Sequence, residues 1–369
     1  MTQPTVPYVN LAQQHQPLKP ALLAAVSRVL DHGQFILGPE VTEFEQRFAD
    51  LCGVRFAVGV NSGTDALILA LRALGVRPGD EVITAPNSFV ASASAIGILG
   101  ARPVFVDVGD DYNLDPNRLE AAITPLTRAI LPVHLTGRPA AMGPILAVAR
   151  AHNLAVVEDC AQAVLARYDD RPVGSLGDAG CFSLHPLKTL NACGDGGVIT
   201  THDAGLAQEL RILRNIGLRS REDCVVWSHN SRLDTLHAAM LLVKLDHLAD
   251  WTAARRAYAR DYQARLADVV RVPVDQPHEY AVYHTFVIQA EARDDLQAYL
   301  AAQGIGTAVH YPAPIHVQRA AAGLGYQPDD FPVTMAQAQR ILSLPIYPEL
   351  TEAQRAAVVT QIRSFYDRD

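Results

Sequence analysis

One lysine stands in surroundings that would change its chemistry. The stretch Cys181 to Thr201 opens with an apolar run, Cys181-Phe182-Ser183-Leu184, long enough for a short strand. His185-Pro186 stops that run, because proline donates nothing to a strand ladder. Lys188 follows among apolar and small neighbours, then Gly194, Gly196 and Gly197, then the β-branched run Val198-Ile199-Thr200-Thr201. The pattern predicts a lysine in a turn between two strands, with glycines that let the backbone fold close to something. Burial disfavours the charged ammonium, so a lysine in an apolar pocket loses its proton readily. The neutral amine is a nucleophile that forms Schiff bases with aldehydes. A solvated lysine on a glycine-rich hairpin would read the same in isolation, so other residues must decide.

Three further features bear on it. Asn61-Ser62-Gly63-Thr64 separates a short strand, Phe56 to Val60, from Asp65 to Leu74, which is apolar nearly all round and therefore reads as a buried helix. A strand, a small polar turn and a buried helix present free N–H groups to an anion, usually phosphate; a plain helix cap would use the same residue types. Asp159 ends the apolar strand Leu154 to Val157 and is followed by Cys160-Ala161-Gln162. Phe89 follows the strand Glu81 to Ala85, and Asp107 stands near the end of the strand Pro103 to Val108. Pyridoxal phosphate would explain Lys188, the Ser62–Thr64 turn, Phe89 and Asp159 together. Its aldehyde needs a lysine, its phosphate needs N–H and hydroxyl donors, and its flat ring needs a stacking face. Its pyridine nitrogen needs an anion that keeps it protonated.

The elements that must hold these groups follow from periodicity. Helical spacing is present at Pro20 to Leu30 and at Glu40 to Leu51, where Val41, Phe44, Phe48 and Leu51 share a face. Strands and helices then alternate: helix Ser88–Leu99, helix Pro116–Ile123, strand Ala129–Val133 and helix Ala140–His152 join those above. Such alternation predicts an α/β fold, a mostly parallel sheet sandwiched by helices, with ligands at the carboxyl ends of its strands. Leu206–Leu213 reads as helix and 214–227 as loop. A strong helix, Thr235–Leu248, precedes a long Arg-studded one, Trp251–Leu266. Beyond it the composition changes to a strand at Val282–Gln289, a helix at Arg293–Gln303, a strand at Thr307–Tyr311 broken by Pro312, and helices at Thr334–Ile341 and Thr351–Phe365. The division expected is a large domain, 1–248, and a smaller C-terminal α+β domain, 249–369. With 369 residues the chain exceeds one ordinary core.

The net charge of −8 argues against nucleic acid or a membrane surface as partner. The five cysteines are odd in number and lack C-x-x-C spacing, which suits free thiols in a reducing cytoplasm and no metal site. Met1 to Gln14 carries no charged-then-apolar leader pattern, and no long apolar run suggests a membrane span.

Taken together, the motifs resemble those of the DegT/DnrJ/EryC1/StrS sugar aminotransferases of fold type I. Asn61-Ser62-Gly63-Thr64-Asp65-Ala66-Leu67 is similar to that family's phosphate turn, and Glu158-Asp159-Cys160-Ala161-Gln162 to its (E)D-x-A-(Q/H) stretch. Ser183-Leu184-His185-Pro186-Leu187-Lys188 with Gly194-Asp195-Gly196-Gly197 resembles its lysine segment, Asn230 to Asp234 the segment donated across a dimer, and His310-Tyr311-Pro312 a loop at the substrate mouth. The resemblance runs from Phe35 to Pro345. It implies that Lys188 carries the pyridoxal phosphate aldehyde and moves the proton, that Asp159 holds the pyridine nitrogen and Gln162 the ring hydroxyl, and that Phe89 stacks on the ring. It implies that Gly63, Thr64 and Ser183 hold the phosphate with Asn230 of the partner chain, and that His310 and Tyr311 meet substrate. It further implies a homodimer with composite sites, L-glutamate as donor and a keto sugar as acceptor, foremost a nucleotide-linked 3-keto or 4-keto hexose. A keto sugar acid or sugar phosphate is the alternative acceptor. Two departures, Thr136 where the family often has Tyr and Ser228-His229 where it often has Gly-Tyr, fall where sugar preference is set. A dehydratase of the same fold would have histidine in place of Lys188, and a non-catalytic regulator would not need Lys188, Asp159, Gln162 and Ser183 together. A Rossmann dehydrogenase lacks its G-x-G-x-x-G here.

Overall fold

The computed structural model describes residues 6–367; the outermost ends of both expected domains, 1–5 and 368–369, lie outside the described residues, as does the start of the Met1–Gln14 leader reading. Seven strands form the central sheet: β1 (Phe56–Val60), β2 (Glu81–Thr84), β3 (Arg102–Phe105), β4 (Thr127–Leu131), β5 (Ala155–Asp159), β6 (Ala179–Ser183) and β7 (Gly197–Thr201). Their order is β1-β7-β6-β5-β4-β2-β3. The pairs β6/β5, β5/β4, β4/β2 and β2/β3 are parallel, and only β7 runs against its neighbours. The predicted α/β class is therefore the observed one. β6, β7 and the inner parts of β2 (82–84) and β4 (129–131) are runs of apolar or small residues because both faces of the sheet are covered.

The helices that cover it include α1 (Leu11–His32), α2 (Pro39–Cys52), α3 (Gly63–Ala73), α4 (Ala91–Ile98), α5 (Met142–Ala151), α6 (Ala204–Leu213) and α7 (Thr235–Leu245). α3 is buried on every side from Ala66 to Leu71, as its all-round apolar sequence requires. On the other face Phe44 and Phe48 of α2 meet Phe182 of β6, with the Phe48 and Phe182 ring centroids 5.0 Å apart. α1 begins nine residues before the predicted Pro20: Asn10 caps it through Gln13 N–H at 3.1 Å, and Pro17 and Pro20 lie inside. The carbonyls these prolines leave free belong to Gln13 and Gln16, both exposed, so water replaces the missing bonds.

The long helix α8 (Leu248–Leu266) leads to α9 (Arg293–Ala302), α10 (Pro332–Arg340) and α11 (Glu352–Tyr366), around an antiparallel pair β8 (Phe286–Gln289) and β9 (Ile341–Leu344). A separate apolar cluster joins Val6 to residues between Ala259 and Ile362. Two expectations fail in this region. Thr307–Tyr311 is not a strand: a single bridge, Ala308 to Ser343, is all that forms before Pro312. The partner of β8 is instead β9, whose first residue, Ile341, falls at the end of the expected helix Thr334–Ile341. β8 also starts late, because Val282 and Thr285 N–H groups bond the carbonyls of Gly137 and Thr136 at 2.9 and 3.3 Å rather than a strand. The loop expected at 214–227 contains a small hairpin, Leu218–Ser220 with Asp223–Cys224.

Candidate active site

A cavity of about 400 Å³ opens at the carboxyl edge of the sheet. Strand register puts its floor together: Val60 pairs with Gly197, and Gly197 with Ser183. Just beyond Val60 the chain turns through Ser62, whose hydroxyl caps α3 by accepting Asp65 N–H at 3.1 Å. A Cβ on Gly63 would lie 2.6 Å from Ser183 Cβ, and one on Gly197 2.3 Å from the Ser62 carbonyl oxygen. Glycine is thus required at both places for the turn to sit against β6 and β7. Among the described residues the amide N–H groups of Gly63 and Thr64 have no partner within the chain, and both residues line the cavity beside Ser183. This is a donor set built for an oxyanion at a helix N-terminus.

Lys188 lines the same cavity, in the segment between β6 and β7. Its backbone N–H bonds the His185 carbonyl at 2.8 Å, and its own carbonyl accepts from Asn191 Nδ2 at 3.1 Å. The residue still meets cavity solvent, but the packing around its amine is dense. That burial brings its pKa down to about 8, against the opposing charge of Asp159.

Asp159, at the end of β5, is 4% exposed. Its Oδ2 accepts from Ser92 Oγ at 2.8 Å and its Oδ1 from Ala161 N–H at 3.1 Å. Burial pushes its pKa up, while Ser92, Ala161 and the nearby positive charge of Lys188 pull it down. A positively charged group brought against this carboxylate offsets the remaining cost of burying it. Behind Asp159 a second buried pair fixes the strand end. Ala140 N–H donates to His134 Nδ1 at 2.9 Å, which leaves Nε2 to donate to Glu158 Oε2 at 3.0 Å. Gly174, Leu176 and Gly177 N–H groups complete the Glu158 carboxylate, and His134, then Gly177 and Gly174, hold its pKa low against burial. His134 and Glu158 lie near Cys160, but both histidine nitrogens are already engaged, so the trio is a structural brace.

Gln162 accepts Thr136 N–H at 2.7 Å, so its amide NH₂ faces the cavity, 3.3 Å from Tyr311 Oη. Phe89 lies at the rim, 53% exposed, its ring centroid 5.7 Å from that of Tyr311. His310 bonds Ser343 Oγ through Nδ1 at 2.9 Å, and burial with Lys188 nearby lowers its pKa to about 4. Nine predicted site residues therefore share one cavity: Gly63, Thr64, Phe89, Asp159, Gln162, Ser183, Lys188, His310 and Tyr311. Asn230 does not line it; it is exposed and bridges Asn215. Asp107 is elsewhere as well. Its carboxylate accepts Val333 and Thr334 N–H and the Thr334 hydroxyl, capping α10. Sequence reasoning missed Ser92, hidden in a helix of small residues, and Arg255, one arginine among several on α8.

The anion-binding turn, the dense pocket around a lysine of lowered pKa and the buried carboxylate fit pyridoxal 5'-phosphate. Fold and cavity define a pyridoxal phosphate enzyme of fold type I. The chain belongs to the DegT/DnrJ/EryC1/StrS aminotransferase family, whose pattern it matches over residues 17–363. It is 44% identical over 368 residues to the dTDP-3-amino-3,4,6-trideoxy-alpha-D-glucose transaminase of Streptomyces venezuelae, covering 99% of this chain and 97% of that one. It is 43% identical over 366 residues to a protein of Geobacillus stearothermophilus named pleiotropic regulatory protein, covering 98% of each. Its structure superposes on that of S. venezuelae DesV in complex with ketimine intermediate with a TM-score of 0.97, at 44% identity, covering 99% of this chain and 100% of that one.

Proposed function

We propose that this chain passes an amino group from L-glutamate to a keto sugar, foremost a nucleotide-linked 3-keto or 4-keto hexose. The observation that carries this reading is Lys188, lowered to a pKa of about 8, in one cavity with Asp159, Gln162 and the Gly63–Thr64–Ser183 cradle. When bound, pyridoxal phosphate supplies an aldehyde that captures an amine and a ring that accepts the electrons released beside it. Lys188 would hold the aldehyde, and its amine, neutral above a pH of about 8, would be the group that moves a proton there. Asp159, its carboxylate aimed by the Ser92 hydroxyl, would keep the ring nitrogen protonated. Gln162 would offer its NH₂ to the ring hydroxyl, Phe89 would cover a ring face, and Gly63, Thr64 and Ser183 would bind the phosphate. His310 and Tyr311 stand at the sugar entrance.

The acceptor is inferred from the relatives: the S. venezuelae transaminase is named for a dTDP-linked sugar aminated at carbon 3. A keto sugar acid or sugar phosphate would use the same machinery. A histidine-type dehydratase is disfavoured by Lys188. The regulatory name of the Geobacillus relative does not alter the reading, which is supported by Lys188, Asp159, Gln162 and Ser183 lining one cavity.

We also infer a homodimer in which Asn230 completes the partner's phosphate site. The support is its exposure beside exposed Ile216, Val225, Val226 and Trp227, the last 87% exposed, an apolar patch suited to burial by a second copy. Five free cysteines, three of them buried, suit the cytoplasm. Among the described residues no helix is long and apolar enough to cross a membrane. We place the domain division at 248/249, with the Val6 segment packed on the smaller unit.

The test is a screen of nucleotide-linked keto sugars with L-glutamate, reading 2-oxoglutarate release. Turnover with a 3-keto or 4-keto hexose is the expected result. Activity confined to ordinary amino-acid and keto-acid pairs would overturn it.

A further inference from the structure

The cavity wall carries a positive charge that makes no ion pair among the described residues, with Glu349 acting on it only from farther off. Arg255 of α8 is 6% exposed and lines the cavity. Its Nη1 donates to three backbone carbonyls, those of Ile346 at 2.7 Å, His284 at 3.2 Å and Tyr283 at 3.3 Å. These bonds fix the plane of the guanidinium. Its Nε is buried without a partner. Its Nη2 has no partner among the described residues either and is not shut away, so it is the face that Arg255 shows to the cavity. Among the described residues no carboxylate pairs with it within 4.0 Å; Glu349, half-buried, is the acid whose charge reaches it. Burial lowers its pKa to about 10, which leaves it charged at neutral pH. An unpaired charge in such a place is costly unless an anion arrives to meet it.

The neighbours point the same way. His284 Nδ1 and Thr285 Oγ1, both on the cavity wall, are buried and unpartnered. Burial, then the charges of Lys188 and Arg255, hold the His284 pKa well down, so the ring is neutral and adds a hydrogen-bonding edge rather than a competing charge. Arg255, His284 and Lys188 line the same cavity, and both cations are close enough to act on the His284 ring. The acids lining the cavity are Asp159, held by Ser92 and Ala161, and Asp195 in the glycine run after Lys188.

We propose that Arg255, with His284 and Thr285, is the subsite that docks a carboxylate of the amino-acid donor. Resting on the aminotransferase reading above, it gives that reading a place for the donor. A guanidinium held by one nitrogen and open at another grips a carboxylate with charge-assisted bonds in a fixed plane. The donor's amine is thereby turned toward Lys188.

The experiment reads the two half-reactions of the holoenzyme separately. The cofactor's colour change is titrated with L-glutamate alone, then with the α-amide and the γ-amide of glutamate. The reverse arm is titrated with the amino-sugar product. In the wild type one amide, the one lacking the docked carboxylate, should need at least about tenfold more for half conversion. Arg255→Lys should bring glutamate to that same level while the amino-sugar arm moves by less than about threefold. Two amides as effective as glutamate would overturn the subsite, as would Arg255→Lys acting equally on both arms or on the sugar arm alone. If Arg255→Lys fails to fold, the wild-type amide comparison decides by itself. A wild-type enzyme whose colour is unmoved by glutamate would refute the donor reading of the preceding section. A colour change with glutamate that Arg255→Lys leaves untouched would refute this subsite alone.

Discussion

Lys188 has a proton affinity set by its surroundings, and pH should expose it. With a folded pKa of about 8, the amine is largely charged below that value and nucleophilic above it. The rate at which apo-protein takes up pyridoxal phosphate should therefore climb with pH toward about 8 and level off beyond, followed by absorbance after mixing. The stability sign follows from the same shift. The unfolded lysine titrates near about 10.4. Between the two values the unfolded chain binds more protons, so apo-protein stability should rise with pH through that window, the burial cost being fully present below it. Lys188→Ala should abolish turnover and covalent attachment of the cofactor without loss of fold at pH 7. Borohydride reduction and peptide mapping should find the label on the peptide containing Lys188; a label on another lysine sinks the assignment.

At the scale of elements, Asp107 illustrates what a sequence conceals. It stands just past β3, as Asp159 ends β5, and periodicity gave no way to tell the two apart. The difference lies in what packs above each strand end. Over Asp159 there is open cavity; over Asp107 sits the N-terminus of α10, whose first N–H groups and Thr334 hydroxyl the carboxylate receives at 2.7–3.0 Å. Asp107→Ala should cost about 1–3 kcal/mol in denaturant unfolding and leave the cofactor spectrum unchanged. A shifted spectrum at full cofactor loading would return Asp107 to the ligand set. The large sheet was legible because alternation over short, apolar runs leaves few arrangements, and the lysine and phosphate turns because glycine and proline mark them. β9 was not legible. Ile341-Leu342-Ser343-Leu344 continues the register of α10 without a breaker until Pro345, and only pairing with β8 makes it a strand. Arg255 was invisible for a similar reason: its difference from Arg256 is the direction it faces, inward to the cavity wall rather than over the Tyr280 ring.

At the scale of the whole molecule, the site described within one chain lacks Asn230, and the assembly decides where that asparagine acts. Asn230→Ala should weaken cofactor binding by about 1.5–3 kcal/mol, the worth of a hydrogen bond to a charged group. Hybrid dimers separate the possibilities. A Lys188→Ala chain paired with an Asn230→Ala chain has one intact site if Asn230 reaches across, and activity should recover to roughly half of wild type. If Asn230 serves its own chain, no site is whole, and the hybrid should do no better than the Asn230→Ala parent.

The reversed strand β7 has a consequence for how the cofactor is met. Because β7 opposes β6, the lysine-bearing segment leaves the sheet at Ser183 and re-enters at Gly197, directly beside it in the register. A segment pinned at adjacent points is a closed ring, not a strap between distant anchors. Part of its configurational freedom is lost when the sheet itself folds. The cofactor then encounters a rigid receptor, and little ordering remains to oppose docking. The amide hydrogens of Leu184, Lys188 and Ala192, which bond backbone carbonyls, should accordingly exchange slowly in the apo-protein, before any ligand has been added.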